Sequence, residues 1–281
     1  MRSVVRPMRA GLWMDGAMLD ENGPRALNPF ADLTGEVVLV TGASSGLGRH
    51  FARMLAGHGM HVAVAARRHE LLEPLVEEIR LAGGEAEPVA MDVRDVASVR
   101  DGVARVVARF GTIDGLVNNA GIARTQALLD EAPEAWATTI DTNLTGARHV
   151  ACEVARAMVA AGGDGAIVNV ASILGLRQGG QVGSYATSKA GLIQLTKQMA
   201  LEWARYGIRV NALAPGYVET DLNRDFLTSE AGATLVKRIP QRRFGRMQDL
   251  DAVLLLLLSS ASAYMTGAVI PVDGGHLLSA L

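Results

Sequence analysis

From Gly35 onward the chain alternates short apolar runs with longer amphipathic ones, and this alternation limits the possible folds more than any single residue does. Strand-like runs occupy residues 36–40, 61–65, 85–90, 115–118, 166–170, 208–212 and 269–272. They are rich in Val, Ile and Ala, as parallel strands buried on both faces require. Helical periodicity fills the gaps, at 48–56, 71–81, 96–110 and 188–206. Such alternation predicts an α/β, doubly wound parallel sheet of about seven strands between two helical layers, with right-handed crossovers. No repeat or long Pro/Ser-rich linker interrupts it, so residues 35–281 read as one domain.

Composition closes off other classes. Hydrophobic residues make up 49% of the 281, enough for a sizeable core. The net charge of -2 gives no basic face for nucleic acid. A single cysteine, Cys152, excludes an internal disulfide and a thiolate zinc site, and the six histidines show no ligand spacing, so no metal is expected. The apolar run 252–258 is far short of the ~20 residues that span a bilayer, so no membrane partner is expected either. Residues 1–34, with Arg2, Arg6 and Arg9 but no signal-like apolar core, read as a flexible extension of a cytoplasmic protein, although the first 14 loosely fit a targeting peptide.

The first strand runs into Thr41-Gly42-Ala43-Ser44-Ser45-Gly46-Leu47-Gly48 and then into a helix. Glycines there let the backbone turn sharply and bring helix N-terminal amides up to a pyrophosphate, the device of a Rossmann-type dinucleotide site. Gly42, Ser44, Ser45, Gly46, Leu47 and Gly48 are the candidate phosphate contacts. Twenty residues after Gly46, where an acid would hold the adenosine ribose, stands Ala66, followed by Arg67 and Arg68. An arginine grips a 2′-phosphate that an acid would repel, so NADP is expected over NAD.

Tyr185 and Lys189, four apart at the start of the last long helical run, project from one face. A tyrosine beside an ammonium in a shielded pocket can pass a proton while hydride moves. Ser172 follows the strand 166–170 at the sheet edge where doubly wound folds bind ligands, and its hydroxyl can donate to a carbonyl oxygen. Asn118-Asn119-Ala120-Gly121 and Pro215-Gly216-Tyr217-Val218-Glu219-Thr220 end neighbouring strands on that edge.

Together these motifs resemble the short-chain dehydrogenase/reductase family over residues 35–275. The resemblance implies that Tyr185 is the acid/base, that Ser172 orients the carbonyl, and that Lys189 holds the nicotinamide ribose while lowering the tyrosine pKa. It implies that Asn143 holds a proton-relay water, and that Asp92, followed by Val93, meets the adenine ring. Asn119, Ala120 and Gly121 would line the cofactor, as would Pro215 and Gly216, with Val218 and Thr220 beside the carboxamide. Ser45 departs from the basic residue that NADP-preferring members often carry there, which leaves the NADP expectation on Arg67. The implied activity interconverts a secondary alcohol and a ketone in a homotetramer or homodimer. Ile239-Pro240-x-x-Arg243-Phe244-Gly245 and the ending Pro271-Val272-Asp273-Gly274-Gly275 resemble the 3-oxoacyl-(acyl-carrier-protein) reductase branch. A sugar, polyol, steroid or other small ketone is equally admissible. A cofactor-sensing regulatory protein is the alternative, though such proteins usually lose the Tyr or the Lys. Four arginines between 238 and 246 follow the Pro-Gly motif, where a mobile substrate lid is expected and an anionic substrate is one option.

Overall fold

The computed structural model describes residues 28–220 and 223–279, together with the backbone of Leu19–Asp20 and Gly23–Pro24, which pair antiparallel. Most of the expected extension, residues 1–34, lies outside the described residues. Where it is described, Leu33 is buried and the Asp32 carboxylate accepts a 2.7 Å bond from the Ser260 amide, so packing against the body begins before Gly35.

Seven parallel strands form one sheet among the described residues. They are β1 (Val37–Thr41), β2 (His61–Ala66), β3 (Glu85–Ala90), β4 (Gly115–Asn118), β5 (Gly165–Val170), β6 (Ile208–Pro215) and β7 (Val269–Val272). Their spatial order is β3-β2-β1-β4-β5-β6-β7. The order reverses between β1 and β4, which opens a crevice above the carboxyl ends of those strands.

The helices are α1 (Gly46–Gly57), α2 (Glu73–Leu81), α3 (Val96–Phe110), α4 (Pro133–Ile140), α5 (Gly146–Ala160), α6 (Gly183–Trp203), α7 (Arg224–Thr228), α8 (Glu230–Val236) and α9 (Asp251–Leu258). Because strand side chains alternate, β1 feeds both layers. Val38 and Val40 pack with Phe51 and Leu55 of α1 and with the leucines of α9. Val37 and Leu39 face the other way, toward Val99 of α3 and Val150 of α5. Met199 of α6 is buried in the same layer as Val99 and Val150, with Leu195 and Trp203 partly buried against it, and Leu192 is buried as well. None of the described helices is long and apolar enough to cross a membrane.

The predicted elements recur with small shifts. Residues 85–90, 96–110, 115–118 and 269–272 match, whereas β6 continues three residues past its predicted end, to Pro215. The long helix begins at Gly183, so Tyr185 and Lys189 both lie in its first two turns.

Candidate active site

The glycine turn is shaped by close contacts. A Cβ on Gly48 would stand 2.3 Å from the Gly42 carbonyl oxygen, so only glycine lets α1 start this close to the end of β1. Gly42 has φ +68° and abuts Ala120. Ser45 precedes the helix but its side chain makes no cap, which leaves the first amides of α1 turned to the crevice. Asn119 braces the turn from β4: its Nδ2 donates to the Thr41 carbonyl at 3.0 Å, and the Asn119 and Ala120 amides both donate to the Thr41 hydroxyl at 3.0 Å. Asn119 and Ala120 therefore hold the turn from behind, a role the motif alone does not reveal.

At the end of β2, Arg67 is exposed and makes no hydrogen bond or ion pair among the described residues. Its charge is felt by Asp92, whose carboxyl is held below the usual range chiefly by Arg94. Arg94 Nη2 lies 2.9 Å from one Asp92 oxygen, and the Arg94 amide donates to the other at 3.0 Å. Val93 is buried instead, against the start of α5, where a Cβ on Gly146 would meet it at 2.7 Å.

Ser172, Tyr185 and Lys189 converge at the carboxyl end of β5. The Ser172 side chain lies near enough to the Tyr185 phenol to favour its ionised form, and its hydroxyl accepts from the Leu174 amide at 3.1 Å. Lys189 is 4% exposed; its Nζ donates to the Val170 carbonyl at 2.7 Å and lies 5.7 Å from the Tyr185 ring centre. Burial drives the Lys189 pKa down to about 8. Within the protein alone the Tyr185 pKa is raised, because burial outweighs the effect of Ser172, and the lowering expected from Lys189 is not seen. The ammonium is directed at Val170 and sits over the ring, away from the phenolic oxygen's hydrogen-bond shell.

Asn143 occupies a widened, π-type turn, Asp141–Thr145, between α4 and α5. Its side chain accepts from the Ile122 amide at 2.8 Å and donates to the Ile122 carbonyl at 2.8 Å and to the Ser188 hydroxyl at 3.0 Å. This ties the loop after β4 to α6 between Tyr185 and Lys189. A Cβ on Gly121 would come within 3.2 Å of the Asn143 Oδ1 and 3.6 Å of the Lys189 Nζ.

After β6, Gly216 passes so close to Asp273 that a Cβ would meet its Cα at 2.7 Å. Val218 is buried and its neighbours pair with Gly245 through the Gly245 and Glu219 amides, both at 2.9 Å. The Thr220 amide donates to Asn223. Beyond lie α7 and α8, the segment whose shape the sequence left open; the arginines at 238, 242, 243 and 246 are all exposed. Tyr217, inside the Pro-Gly motif, lines a cavity of about 470 Å³ with Glu230, Leu235 and Arg238.

The residues fit a dinucleotide. The turn presents free helix amides, and Lys189 carries three donors of which one is used within the chain. The sequence profile described as enoyl-(acyl carrier protein) reductase matches residues 42–276. The 3-oxoacyl-(acyl-carrier-protein) reductase of Thermotoga maritima is 40% identical over 246 residues, covering 88% of this chain and 99% of that protein. The chain belongs to the short-chain dehydrogenase/reductase family. Among other family members, the 2-dehydro-3-deoxy-D-gluconate 5-dehydrogenase of Escherichia coli is 36% identical, over 87% of this chain and 96% of its own. A gluconate 5-dehydrogenase from Burkholderia cenocepacia, solved with NADP and tartrate, superposes with a TM-score of 0.86 at 39% identity, over 92% of this chain and all of the other. As a short-chain dehydrogenase/reductase this chain is an NAD(P)-dependent oxidoreductase of alcohol and ketone groups. The comparisons give no support to a regulatory protein without turnover.

Proposed function

We propose that this chain interconverts a small ketone and a secondary alcohol with NADP(H), with Tyr185 as the proton donor and acceptor. The observation that carries this reading is the convergence of Ser172 and Lys189 on Tyr185 at the end of β5. The bound nicotinamide supplies or takes the hydride. Ser172, beside the phenol, would donate to the same carbonyl oxygen and hold it against Tyr185 as negative charge grows on it. Tyr185 stays protonated at neutral pH, the state a reductase needs to protonate the new alkoxide. Lys189 would hold the ribose hydroxyls with its two spare N–H groups. Arg67 would take the 2′-phosphate, and the amides at the start of α1 the pyrophosphate. Asp92 would meet the adenine beside its Arg94 partner. Both N–H groups of the Asn143 side chain go to Ile122 and Ser188, so a relay water would donate to an oxygen of Asn143, whose Oδ1 accepts one bond and has a second lone pair.

The relatives divide between 3-oxoacyl thioester reductases and dehydrogenases named for sugar acids, so either kind of ketone is a candidate. We also infer a homotetramer. Supporting it is an apolar hollow along α5 and the end of α6, formed by Cys152, Ala155, Val159, Trp203 and, just past α6, Tyr206. The test of function is NADPH oxidation against a ketone panel spanning 3-oxoacyl thioesters, keto acids and neutral ketones. Turnover of at least one class is expected; none at any concentration would overturn the reading.

A further inference from the structure

A second set of side chains at the substrate end plays no part in hydride or proton transfer. Arg177 lies between Ser172 and α6, and its Nη1 donates at 2.6 Å to the carbonyl of His276, 99 residues away. The guanidinium is half-buried and pairs with no carboxylate among the described residues. His276 is 4% exposed, its ring lies 5.7 Å from that of Tyr217, and its buried Nδ1 has no partner. Asp273, the acid beside His276, is already engaged by the amides of Gly275 and Leu277, at 2.8 and 2.7 Å. Tyr217 carries the cluster to the cavity wall it shares with Arg238. Burial raises the Tyr217 pKa, with the Arg177 charge opposing it, and burial together with that same charge lowers the His276 pKa.

A half-buried guanidinium that no carboxylate bonds keeps N–H groups free to hold an incoming anion. Arginine's planar fork suits a carboxylate, which it can hold by two parallel bonds. The cavity wall contributes one acid, the exposed Glu230, against Arg238. With Asp273 counted the two arginines and two acids balance overall, but neither acid bonds the Arg177 fork among the described residues, which leaves it open to a substrate carboxylate.

We propose that Arg177, assisted by Arg238, binds a carboxylate carried by the substrate, so that the enzyme acts on hydroxy acids and keto acids of sugar-acid size. The inference rests on the reading of Tyr185 as the reacting end, with the carboxylate held at the far side of Tyr217. It selects the acid branch of the two substrate kinds and makes an uncharged ketone or a 3-oxoacyl thioester the poorer substrate.

The test is calorimetric titration of gluconate, and of its uncharged analogue glucitol, into the full-length protein saturated with NADPH, with which an alcohol cannot react. Gluconate should bind at least tenfold more tightly than glucitol. Arg177→Met should weaken gluconate at least tenfold and leave glucitol within about twofold, while Arg177→Lys should recover most of the loss. Arg238→Ala, at an exposed position, should weaken gluconate several-fold even if Arg177→Met does not fold. Equal binding of gluconate and glucitol, or gluconate binding indifferent to both arginines, would overturn the proposal. Failure of the Tyr185 reading looks different: no ketone is turned over, whatever the arginines do to gluconate.

Discussion

The Lys189 ammonium donates a 2.7 Å hydrogen bond to the carbonyl of Val170, the last residue of β5, while lying over the Tyr185 ring. The strand end thus fixes the position of a buried cation on the neighbouring helix. The geometry is bought with burial, which depresses the Lys189 pKa to about 8.

That depression has a stability consequence with a definite sign. Below pH 8 the folded chain holds a buried ammonium that the unfolded chain would solvate, a cost of about 3 kcal/mol. Between pH 8 and the ordinary lysine range the unfolded chain binds more protons, so this penalty fades as pH rises. Lys189→Met should therefore stabilise the fold by about 1–2 kcal/mol at pH 7, after loss of the Val170 hydrogen bond. The gain should shrink toward zero by pH 10, and activity should be lost throughout. Urea denaturation of both proteins at fixed concentration across pH 7–10 measures this; a constant difference would contradict it.

If Tyr185 is the proposed proton donor, Tyr185→Phe removes one hydroxyl that would contribute to the transition state and little to cofactor binding. Turnover should fall at least a thousandfold, with the NADPH Kd within threefold of the unmodified protein. Stopped-flow measurement of hydride transfer on any accepted ketone checks this. A Phe variant retaining a tenth of kcat would remove the proton from Tyr185.

How much of this was legible beforehand follows from which interactions are local. The strand–turn–helix at Thr41 to Gly48 and the Tyr185/Lys189 pair are set by neighbours within a few positions, so the pattern showed them. The Asn119 brace on Thr41 spans 78 residues and the Arg177–His276 contact 99, and no periodicity marks such partners. The raised pKa of Tyr185 was missed for the same reason: it depends on burial, which depends on the whole fold. The shape of α7 and α8 was unreadable because both are short and mostly exposed, which leaves little apolar patterning.

Asn143→Ala would strand the amide and carbonyl of Ile122 and release Ser188. Buried polar groups left without partners cost about 1–3 kcal/mol each, so a loss of about 2–4 kcal/mol is expected. Asn143→Asp keeps the acceptor for the Ile122 amide but loses both donor bonds, and should be nearly as harmful. Thermal unfolding monitored by circular dichroism decides it; a shift under 2 °C for Asn143→Ala would mean the loop after β4 is held by other contacts.

Glycine 48 offers a test of the phosphate turn that leaves charge alone. Gly48→Ala puts a Cβ 2.3 Å from the Gly42 carbonyl oxygen, forcing the turn away from α1. NADPH affinity should drop at least tenfold, because the helix amides no longer meet the phosphates in register. Gly57→Ala, at the other end of the same helix with open space around it, serves as the control and should leave affinity unchanged. Equal effects of the two substitutions would detach the turn from cofactor binding.

On the proposed reading cofactor choice turns on Arg67, which is exposed at the end of β2 with no hydrogen bond or ion pair among the described residues. Asp92, the nearby acid, is already balanced by Arg94, so the positive charge of Arg67 is not cancelled at close range. A charge-assisted bond from Arg67 to a 2′-phosphate is worth roughly 1.5–3 kcal/mol, about ten- to a hundredfold in affinity. NADPH should bind more tightly than NADH by that factor, and the ratio should shrink with added salt, as an exposed contact requires. Ala66→Asp combined with Arg67→Leu should reverse the order, since the new acid accepts from the ribose hydroxyl and repels the phosphate. Tryptophan-fluorescence titration of both cofactors at two salt concentrations gives the answer. Equal affinities in the unmodified protein would show that Arg67 does not face the ribose, and the serine at position 45 would then be the better guide to preference.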